Sequence, residues 1–345
     1  MIIGLDAGYG HTKWTTDGVT VKTIPSVVSP TNLQDFDSDM FGGGGGYRDL
    51  ALEIAGARYL VGEFALREDA QATRVISAER TSGVEFKALV STVLLSEMLD
   101  KDTVVCTGLP YNAPKEALAA LESELKNLRL SANGISGVIK DKFWSGTLKD
   151  VHVYRQAQAV IFDAVFAYQG KKIVPVRDQE LLEVAGTRVA VVDIGYKTTD
   201  VIVCELNPEF RVIKELSFTV SHAVSSVGKH LQEDYKRITR NGESALDARR
   251  LDQVIIGGKI PDAGKVLDMS VERDQATKVV GRQIMNQVFE KWGQALSTIQ
   301  VVYLGGGGGE LFGDYLTRNL HPNVYKIKDA QGANARGYFK MQQFM

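Results

Sequence analysis

The sequence has few residues of the kinds that build metal cages, disulfide frameworks or membrane spans. It contains two cysteines and five histidines in 345 residues, with no CxxC pair and no Cys/His spacing typical of a zinc site. Cys106 and Cys204 each lie in an apolar, strand-like run, which predicts small buried side chains in a reducing, cytoplasmic setting. No apolar run approaches 18 residues and no signal-peptide pattern opens the chain, so neither export nor membrane spanning is predicted.

The chain also lacks a large excess of positive or negative charge. Forty basic residues are balanced by 42 acidic ones, which leaves a formal net charge of −2. No overall field would therefore draw the chain to nucleic acid or to an anionic membrane, and direct DNA binding is not expected. The apolar fraction of 44% and the length are those of a globular protein with two domains of ordinary size.

Two similar segments stand out, and both place an aspartate at the end of an apolar strand. The first runs from Ile2 to Lys13 and contains Asp6, and the second runs from Val189 to Val201 and contains Asp193. In each, the aspartate is followed by a glycine-containing turn and a second extended segment. This repeated strand–turn–strand unit suggests a duplicated domain whose two copies bind one phosphate chain.

The glycines of these turns carry the phosphate argument. Glycine turns freely with positive φ and lets bare N–H groups approach an anion, so Gly8, Gly10 and Gly195 are predicted to do so. Thr198 and Thr199 add hydroxyls to the second turn. Each turn alone is weak evidence, because Asp-x-Gly after a strand is common in ordinary hairpins. The pair, together with a third glycine-rich turn, favours phosphate binding.

The charges in the two segments indicate a metal. Asp6 and Asp193 would repel phosphates directly, so we expect a bridging Mg²⁺ held largely through water. Lys13 is placed to add a positive charge against a β-phosphate.

The chain has two runs of five glycines, and their contexts differ. Gly42–Gly46 lies in a polar segment, residues 29 to 50, and is interpreted as a mobile surface loop that could form a filament contact. The second run follows the apolar strand 300–304 and precedes a helical pattern from Glu310, which is where backbone can approach a nucleotide closely. That run consists of Gly305, Gly306, Gly307, Gly308 and Gly309.

Strands alternate with helical patterns along the chain, which predicts an α/β fold. Three short strands open the chain, and strands at 201–206 and 212–217 would repeat that meander after the second turn. Helices are predicted at 156–168, from Gly228 to Arg237 and at 273–292, whereas 247–257 has a mixed pattern.

These motifs resemble the phosphate 1, phosphate 2 and adenosine motifs of the superfamily of actin, heat-shock chaperone and sugar kinase ATPases. Within it the chain is most similar to the ParM/StbA-like prokaryotic actins and their archaeal relatives, with which it also shares the segment Ala333–Tyr338. The resemblance implies two ribonuclease-H-like domains around a nucleotide cleft. Domain I would take residues 1–155 plus 330–345, and domain II would take 156–329, with the C-terminal tail packing on domain I.

The resemblance further implies an ATPase that polymerises with Mg-ATP and drives plasmid DNA segregation through a DNA-binding adaptor protein. GTP as an accepted nucleotide stays open. The residues implied to bind the nucleotide are Gly8, Tyr9, Gly10, His11, Thr12, Lys13, Gly195, Lys197, Thr198, Thr199, Asp200, Gly305, Gly306, Gly307 and Gly308, with Asp6 and Asp193 at the metal.

By the same resemblance, the hydrolytic residue comes from the segment that crosses between the domains. Gln158 is our choice for orienting the attacking water, beside Asp6 and Asp193 in the catalytic set, and Gln156 is the alternative. His11 stands where relatives vary, so its charge could tune nucleotide affinity or its ring could pack over the turn. Lys197 is expected to point to solvent. The alternative function is a non-polymerising small-molecule kinase of the same superfamily.

Overall fold

Two sheets with the same strand order form the centre of the fold. The computed structural model describes residues 1–32, 46–69, 71, 72, 74, 83–100, 102–169, 172–175, 184, 186–206, 211–239 and 245–344. Contacts between residues divide the chain into two units, the first comprising 1–108 and 114–154 and the second comprising 109–113 and 155–345.

The described strands are β1 Ile2–Ala7, β2 His11–Thr15, β3 Lys22–Pro25, β4 Val28–Thr31, β5 Leu50–Ile54, β6 Ala57–Val61, β7 Val104–Leu109, β8 Leu130–Ser136, β9 Phe143–Gly146, β10 Asp150–Arg155, β11 Phe166–Gln169, β12 Lys172–Pro175, β13 Thr187–Ile194, β14 Thr199–Leu206, β15 Arg211–Val212, β16 Phe218–Val220, β17 Lys259–Asp262, β18 Lys265–Asp268, β19 Ile299–Gly305 and β20 Val324–Lys326. The described α-helices are α1 Glu63–Glu68, α2 Val84–Ser96, α3 Lys115–Asn127, α4 Gln158–Val165, α5 Val224–Thr239, α6 Ala248–Gly257, α7 Ser270–Trp292, α8 Gly309–Asn319 and α9 Ala333–Phe344. None of these helices is long and apolar enough to cross a membrane.

The main sheet of the first unit has the order β10-β7-β1-β2-β3. Strand β1 pairs antiparallel with β2 and parallel with β7. The sheet of the second unit has the order β15-β14-β13-β19-β20, in which β13 pairs antiparallel with β14 and parallel with β19. The two sheets thus repeat one topology, and the duplication predicted from the two aspartate turns is confirmed.

The core of the second unit lies on both faces of its sheet because side chains alternate along each strand. On one face, Val192 and Ile194 belong to a cluster that includes apolar residues of α5, α7 and α8. On the other, Val191 packs with Val160 and Ile161 of α4. The end of β13, which carries Asp193, is therefore anchored in buried apolar structure on both faces of the sheet.

The first unit has a second sheet, of order β4-β6-β5-β8-β9, and it corrects the loop predicted at 29–50. Residues 29–31 belong to β4, and β5 begins at Leu50. Residues 33–45, including Gly42–Gly45, lie outside the described part of the chain, as does the predicted contact of that loop with a filament neighbour.

Three predicted elements differ from the structure. The helix predicted to Tyr168 ends at Val165, because residues 166–169 pair antiparallel with β12. The strand predicted at 212–217 is interrupted by a 3₁₀ turn at Lys214–Leu216. The mixed region is helix α6, whose end signals were present, since Asp247 caps its start and Gly258 adopts the left-handed conformation at its end.

The C-terminal helix α9 packs on α4, within the second unit. At the closest approach, a Cβ added to Gly337 would lie 1.9 Å from the carbonyl oxygen of Ala159. Residues 330–345 were predicted to pack on the first domain, whereas α9 contacts α4 of the second unit. The lack of a side chain at Gly337 allows the two helices to approach this closely.

Candidate nucleotide-binding site

The first hairpin holds Asp6 and Lys13 directly opposite each other. The register pairs Asp6 with Lys13 and Ala7 with Thr12, which leaves Gly8, Tyr9, Gly10 and His11 between the paired positions. Opposed residues of antiparallel strands point to the same face, so the two charged side chains meet.

Lys13 Nζ donates to Asp6 Oδ2 at 2.8 Å, and both residues are buried. The ammonium predicted to face a β-phosphate is thus engaged with the neighbouring carboxylate in this structure. Asp6 Oδ1 is also buried and has no hydrogen-bond partner among the described residues. Because an unpaired buried carboxylate oxygen is costly, this atom is the part of Asp6 available to a ligand or its water.

The turn of the first hairpin is tied down through its carbonyl groups. The Ser26 hydroxyl donates to the Gly8 carbonyl at 2.7 Å, and the Ser26 N–H donates to the Gly10 carbonyl at 3.0 Å. Arg74 Nε also donates to the Gly10 carbonyl, at 3.2 Å. Thr12, predicted to bind the nucleotide, is fully buried with its hydroxyl on Ser26.

Gly8 and Gly195 are required because their turns leave no room for a side chain, and not because they adopt a positive φ. Gly8, Gly10 and Gly195 are absent from the positive-φ glycines of the structure, so that part of the prediction is wrong. A Cβ on Gly8 would lie 2.8 Å from the His11 carbonyl oxygen, and one on Gly195 would lie 3.0 Å from the Thr198 carbonyl oxygen. A tight hairpin turn brings backbone against backbone, and at Gly8 and Gly195 this leaves little room for a side chain.

His11 lies in a cationic environment. Burial, followed by the charges of Lys13 and Arg74, lowers the pKa of His11 to about 3. The imidazole is therefore neutral near pH 7. A phosphate bound beside Lys13 and Arg74 would offset their charges and raise the pKa of His11, so the tuning of nucleotide affinity by this residue stays a prediction.

The second hairpin repeats the geometry of the first. Asp193 pairs with Asp200 and Ile194 with Thr199, which again leaves four residues at the turn, from Gly195 to Thr198. Position by position, Asp193 corresponds to Asp6 and Asp200 to Lys13. One copy therefore places a cation opposite the strand-end aspartate, and the other places a second acid there.

Asp200 faces the protein interior. Its Oδ1 accepts from the Thr219 hydroxyl at 2.6 Å and its Oδ2 accepts from the Tyr111 N–H at 3.2 Å. Burial raises the pKa of Asp200 to about 6. Both oxygens are therefore used in holding β16 and the segment around Tyr111, which argues against a contact of this side chain with a nucleotide.

The two threonines of the second turn differ in how far they are exposed. The Thr199 hydroxyl is fully buried and donates to the His222 carbonyl at 2.8 Å. The Thr198 side chain is half-buried, as is that of Lys197, which was expected to point to solvent. The turn itself is held by N–H donation from Val224 to Gly195 and from Ser225 to Tyr196 at the start of α5. Thr198 is thus the hydroxyl that this turn offers to a ligand.

Asp193 is positioned by the C-terminal helix. Asn334 Nδ2 donates to Asp193 Oδ2 at 2.8 Å, and both residues are buried. Sequence reasoning included Asn334 in a family segment but gave it no role, because 141 residues separate the two partners.

The glycine run at 305–309 forms the turn between β19 and α8. Gly306 has φ +77°, and a Cβ there would lie 2.4 Å from both Asp193 Oδ1 and the Ile194 carbonyl oxygen. The Gly308 N–H donates to the Ile194 carbonyl at 2.8 Å. The third glycine turn therefore lies against the end of β13, and its approach to a nucleotide stays a prediction.

A cavity of about 660 Å³ lies in the second unit beside this turn. A volume of a few hundred Å³ or more is typical of small-molecule sites, and this cavity combines apolar and charged groups. Its lining includes Gly307, Arg273, Thr277, Lys278, Glu310 and Leu311.

Gln158 is the first residue of α4. The side chains of Gln158 and Gln156 are both half-buried, so either amide is accessible to a water. The preceding residue, Ala157, is buried with φ +66°, a conformation that costs a non-glycine residue about 1–2 kcal/mol. Packing against neighbouring elements must hold this strained turn in place.

That packing includes a buried ion cluster between α4 and α9. Asp163 accepts from Arg336 Nη2 at 2.7 Å and from Lys340 Nζ at 2.7 Å. Lys340 also donates to the Phe166 carbonyl at 2.7 Å. Arg336 of the shared segment and Lys340 just beyond it therefore fix the helix that carries Gln158.

Asp6 and Asp193 are the residues of the two hairpins whose chemistry suits a magnesium ion. No group of three or more His, Cys, Asp or Glu in the described part of the chain could hold a metal ion. Asp6 and Asp193, each at a strand end beside a glycine turn, supply the carboxylate oxygens that Mg²⁺ prefers.

Family models identify both halves of the chain. Residues 4–158 match the N-terminal domain of actin-like proteins, and residues 191–318 match the C-terminal domain of the archaeal MreB-like actin homologue. The chain belongs to the actin-like proteins. No curated protein matches it.

Solved structures show the same fold. A 15-stranded ParM filament from Clostridium botulinum superposes with a TM-score of 0.84 at 22% identity, covering 100% of this chain and 99% of that one. The archaeal actin homologue Ta0583 in complex with ADP gives 0.78 at 18% identity, with 100% of both chains covered. Bacillus thuringiensis ParM with ATP gives 0.69 at 13% identity, with 99% of both covered. The predicted actin-like fold is confirmed.

Proposed function

We propose that this actin-like protein binds ATP with Mg²⁺, hydrolyses it and assembles into filaments. The observation that carries the proposal is the duplicated hairpin, in which each copy ends a buried strand in an aspartate and a space-restricted glycine turn. The third glycine turn and the adjoining cavity of about 660 Å³ add room for a nucleoside.

Each group of residues has a role in the proposed reaction. N–H groups of the two hairpin turns bind phosphate oxygens, with Thr198 and Lys13 as further donors. The Gly195 N–H is not among them, because it donates to the Thr198 carbonyl at 2.9 Å. Asp6 and Asp193 would hold Mg²⁺, and the ion would neutralise charge on the phosphates. Gln158 orients the attacking water, since its amide both donates and accepts. Catalysis by positioning alone predicts slow turnover in the isolated subunit.

The proposed partners are other copies of this chain and an adaptor. Similar solved structures include a ParM filament, which supports head-to-tail assembly through a heterologous contact. In the cell we propose a cytoplasmic role in moving plasmid DNA through an adaptor protein that binds the DNA. GTP is a second candidate nucleotide.

Light scattering and pelleting in Mg-ATP, in Mg-ADP and without nucleotide, together with phosphate release, test this proposal. We expect scattering that rises with ATP and falls as phosphate appears. Gln158→Ala should assemble but release phosphate at least tenfold more slowly, because the water loses its orienting amide.

Gln156→Ala is the matched control, because it removes the same side chain two residues earlier on the crossing segment. Slower release by Gln156→Ala alone would move the catalytic role to that residue. Nucleotide binding without polymer at any concentration would instead favour the small-molecule kinase.

A further inference from the structure

The strand-end aspartates of the two hairpins have different hydrogen-bond partners, and the partner of Asp193 is the buried amide of Asn334. In the first copy Asp6 receives a cation from the opposite strand, because Lys13 stands there. In the second copy that position is Asp200, whose own oxygens are bonded to Thr219 and Tyr111. The hydrogen bond that orients Asp193 comes instead from Asn334, on another element.

Asn334 has a second feature that its packing does not explain. Its Oδ1 is buried and accepts no hydrogen bond within the described part of the chain. Its Nδ2 is fixed by donation to a carboxylate, so the amide orientation is determined and Oδ1 must be the remaining acceptor. Native proteins rarely leave such an atom unsatisfied, and a water or ligand is the usual explanation.

We propose that Asn334 is a positioning residue of the nucleotide site, which fixes the Asp193 carboxylate through Nδ2 and accepts a hydrogen bond through Oδ1 from the water shell of the nucleotide-bound divalent cation. This inference rests on the proposed function. It adds a polar partner that orients a metal-site carboxylate, a type of contact whose loss typically weakens metal affinity tenfold or more.

Helix α9 also stabilises the fold, so the test must separate positioning from packing. Lys340→Met offers a matched comparison on the same helix, because it weakens the Asp163 ion cluster and leaves Asp193 untouched. Asn334→Ala removes the amide and leaves the ion cluster intact.

The experiment measures binding of a fluorescent ADP analogue to the full chain as Mg²⁺ is varied, with melting temperature recorded for each variant. For Asn334→Ala we expect the Mg²⁺ concentration for half-maximal binding to rise about tenfold, with less than about twofold change in affinity in EDTA. For Lys340→Met we expect a lower melting temperature and an unchanged Mg²⁺ midpoint.

A second measurement needs no nucleotide. Asn334→Asp places a second carboxylate beside Asp193, so MgCl₂ should raise its melting temperature more than KCl of equal ionic strength does. The exposed Asn127→Asp adds the same charge elsewhere and should show no such difference.

The outcomes separate the two proposals. If Asn334→Ala lowers only the melting temperature, as Lys340→Met does, Asn334 is a packing residue and the inference is wrong while nucleotide binding stands. If the wild-type chain binds no nucleotide at any Mg²⁺ concentration, the proposed function fails and the inference fails with it.

Discussion

At the scale of single residues, Gly306 shows why the third turn must be glycine. Its φ is +77°, and an added Cβ would lie 2.4 Å from the Ile194 carbonyl oxygen, so both the backbone conformation and the lack of space disfavour a side chain. We expect Gly306→Ala to lower the free energy of unfolding by about 3 kcal/mol or more, measured by urea denaturation. Gly264→Ala is the control, because Gly264 has φ +78° with nothing within 4 Å, and it should cost about 1–2 kcal/mol. Equal losses would mean that the close approach contributes nothing.

Asp200 gives a residue-scale prediction about pH. The folded-state pKa of about 6 lies above the ordinary aspartate value of 3.8, so the folded chain holds the proton more tightly than the unfolded chain. The resulting stability is present below the unfolded pKa and is lost as pH rises through about 6. Asp200→Asn lacks this loss, so its unfolding free energy relative to wild type should rise by about 2 kcal/mol between pH 4.5 and 7.5. A difference independent of pH would show that the carboxyl does not titrate in this range.

At the scale of elements, the crossing of α4 and α9 depends on Gly337. A Cβ there would lie 1.9 Å from the Ala159 carbonyl oxygen, so the helices must separate to accept it. We expect Gly337→Ala to lower the unfolding free energy by about 3 kcal/mol or more and to slow phosphate release, since α4 carries Gln158. Gly257→Ala, near the end of α6 with open space around it, should instead be neutral or slightly stabilising. An undisturbed Gly337→Ala protein would contradict the close packing of the two helices.

Elements with a strong local pattern were predictable, and those decided by pairing were not. Helix α7 and the strands β1, β13 and β19 follow from apolar periodicity that the chain carries locally. The local sequence predicts that the helix continues through residues 166–169. These residues instead form a strand, because their backbone pairs with β12, and this pairing cannot be predicted from the local sequence. Helix α6 was missed although Asp247 and Gly258 mark both of its ends.

At the scale of the whole molecule, the near-balanced charge predicts that the chain does not bind DNA directly. With a net charge of −2, the chain should show no measurable binding to duplex DNA at physiological salt, by fluorescence anisotropy of a labelled duplex. Under the proposed function, the chain and the duplex should associate only when an adaptor protein is added. Tight binding by the chain alone would locate a basic surface that the overall balance conceals and would remove the need for an adaptor.

The sequence by itself determined the duplicated strand–turn–strand units, the third glycine turn and the family, because these depend on short-range patterns of apolar, acidic and glycine residues. Only the tertiary structure decided which side chains meet. Lys13 pairs with Asp6, Thr12 and Thr199 are buried in the framework, Ser26 holds the first turn and Asn334 orients Asp193. Contacts between residues far apart in the chain are set by packing of whole elements, and one sequence carries no local record of that packing.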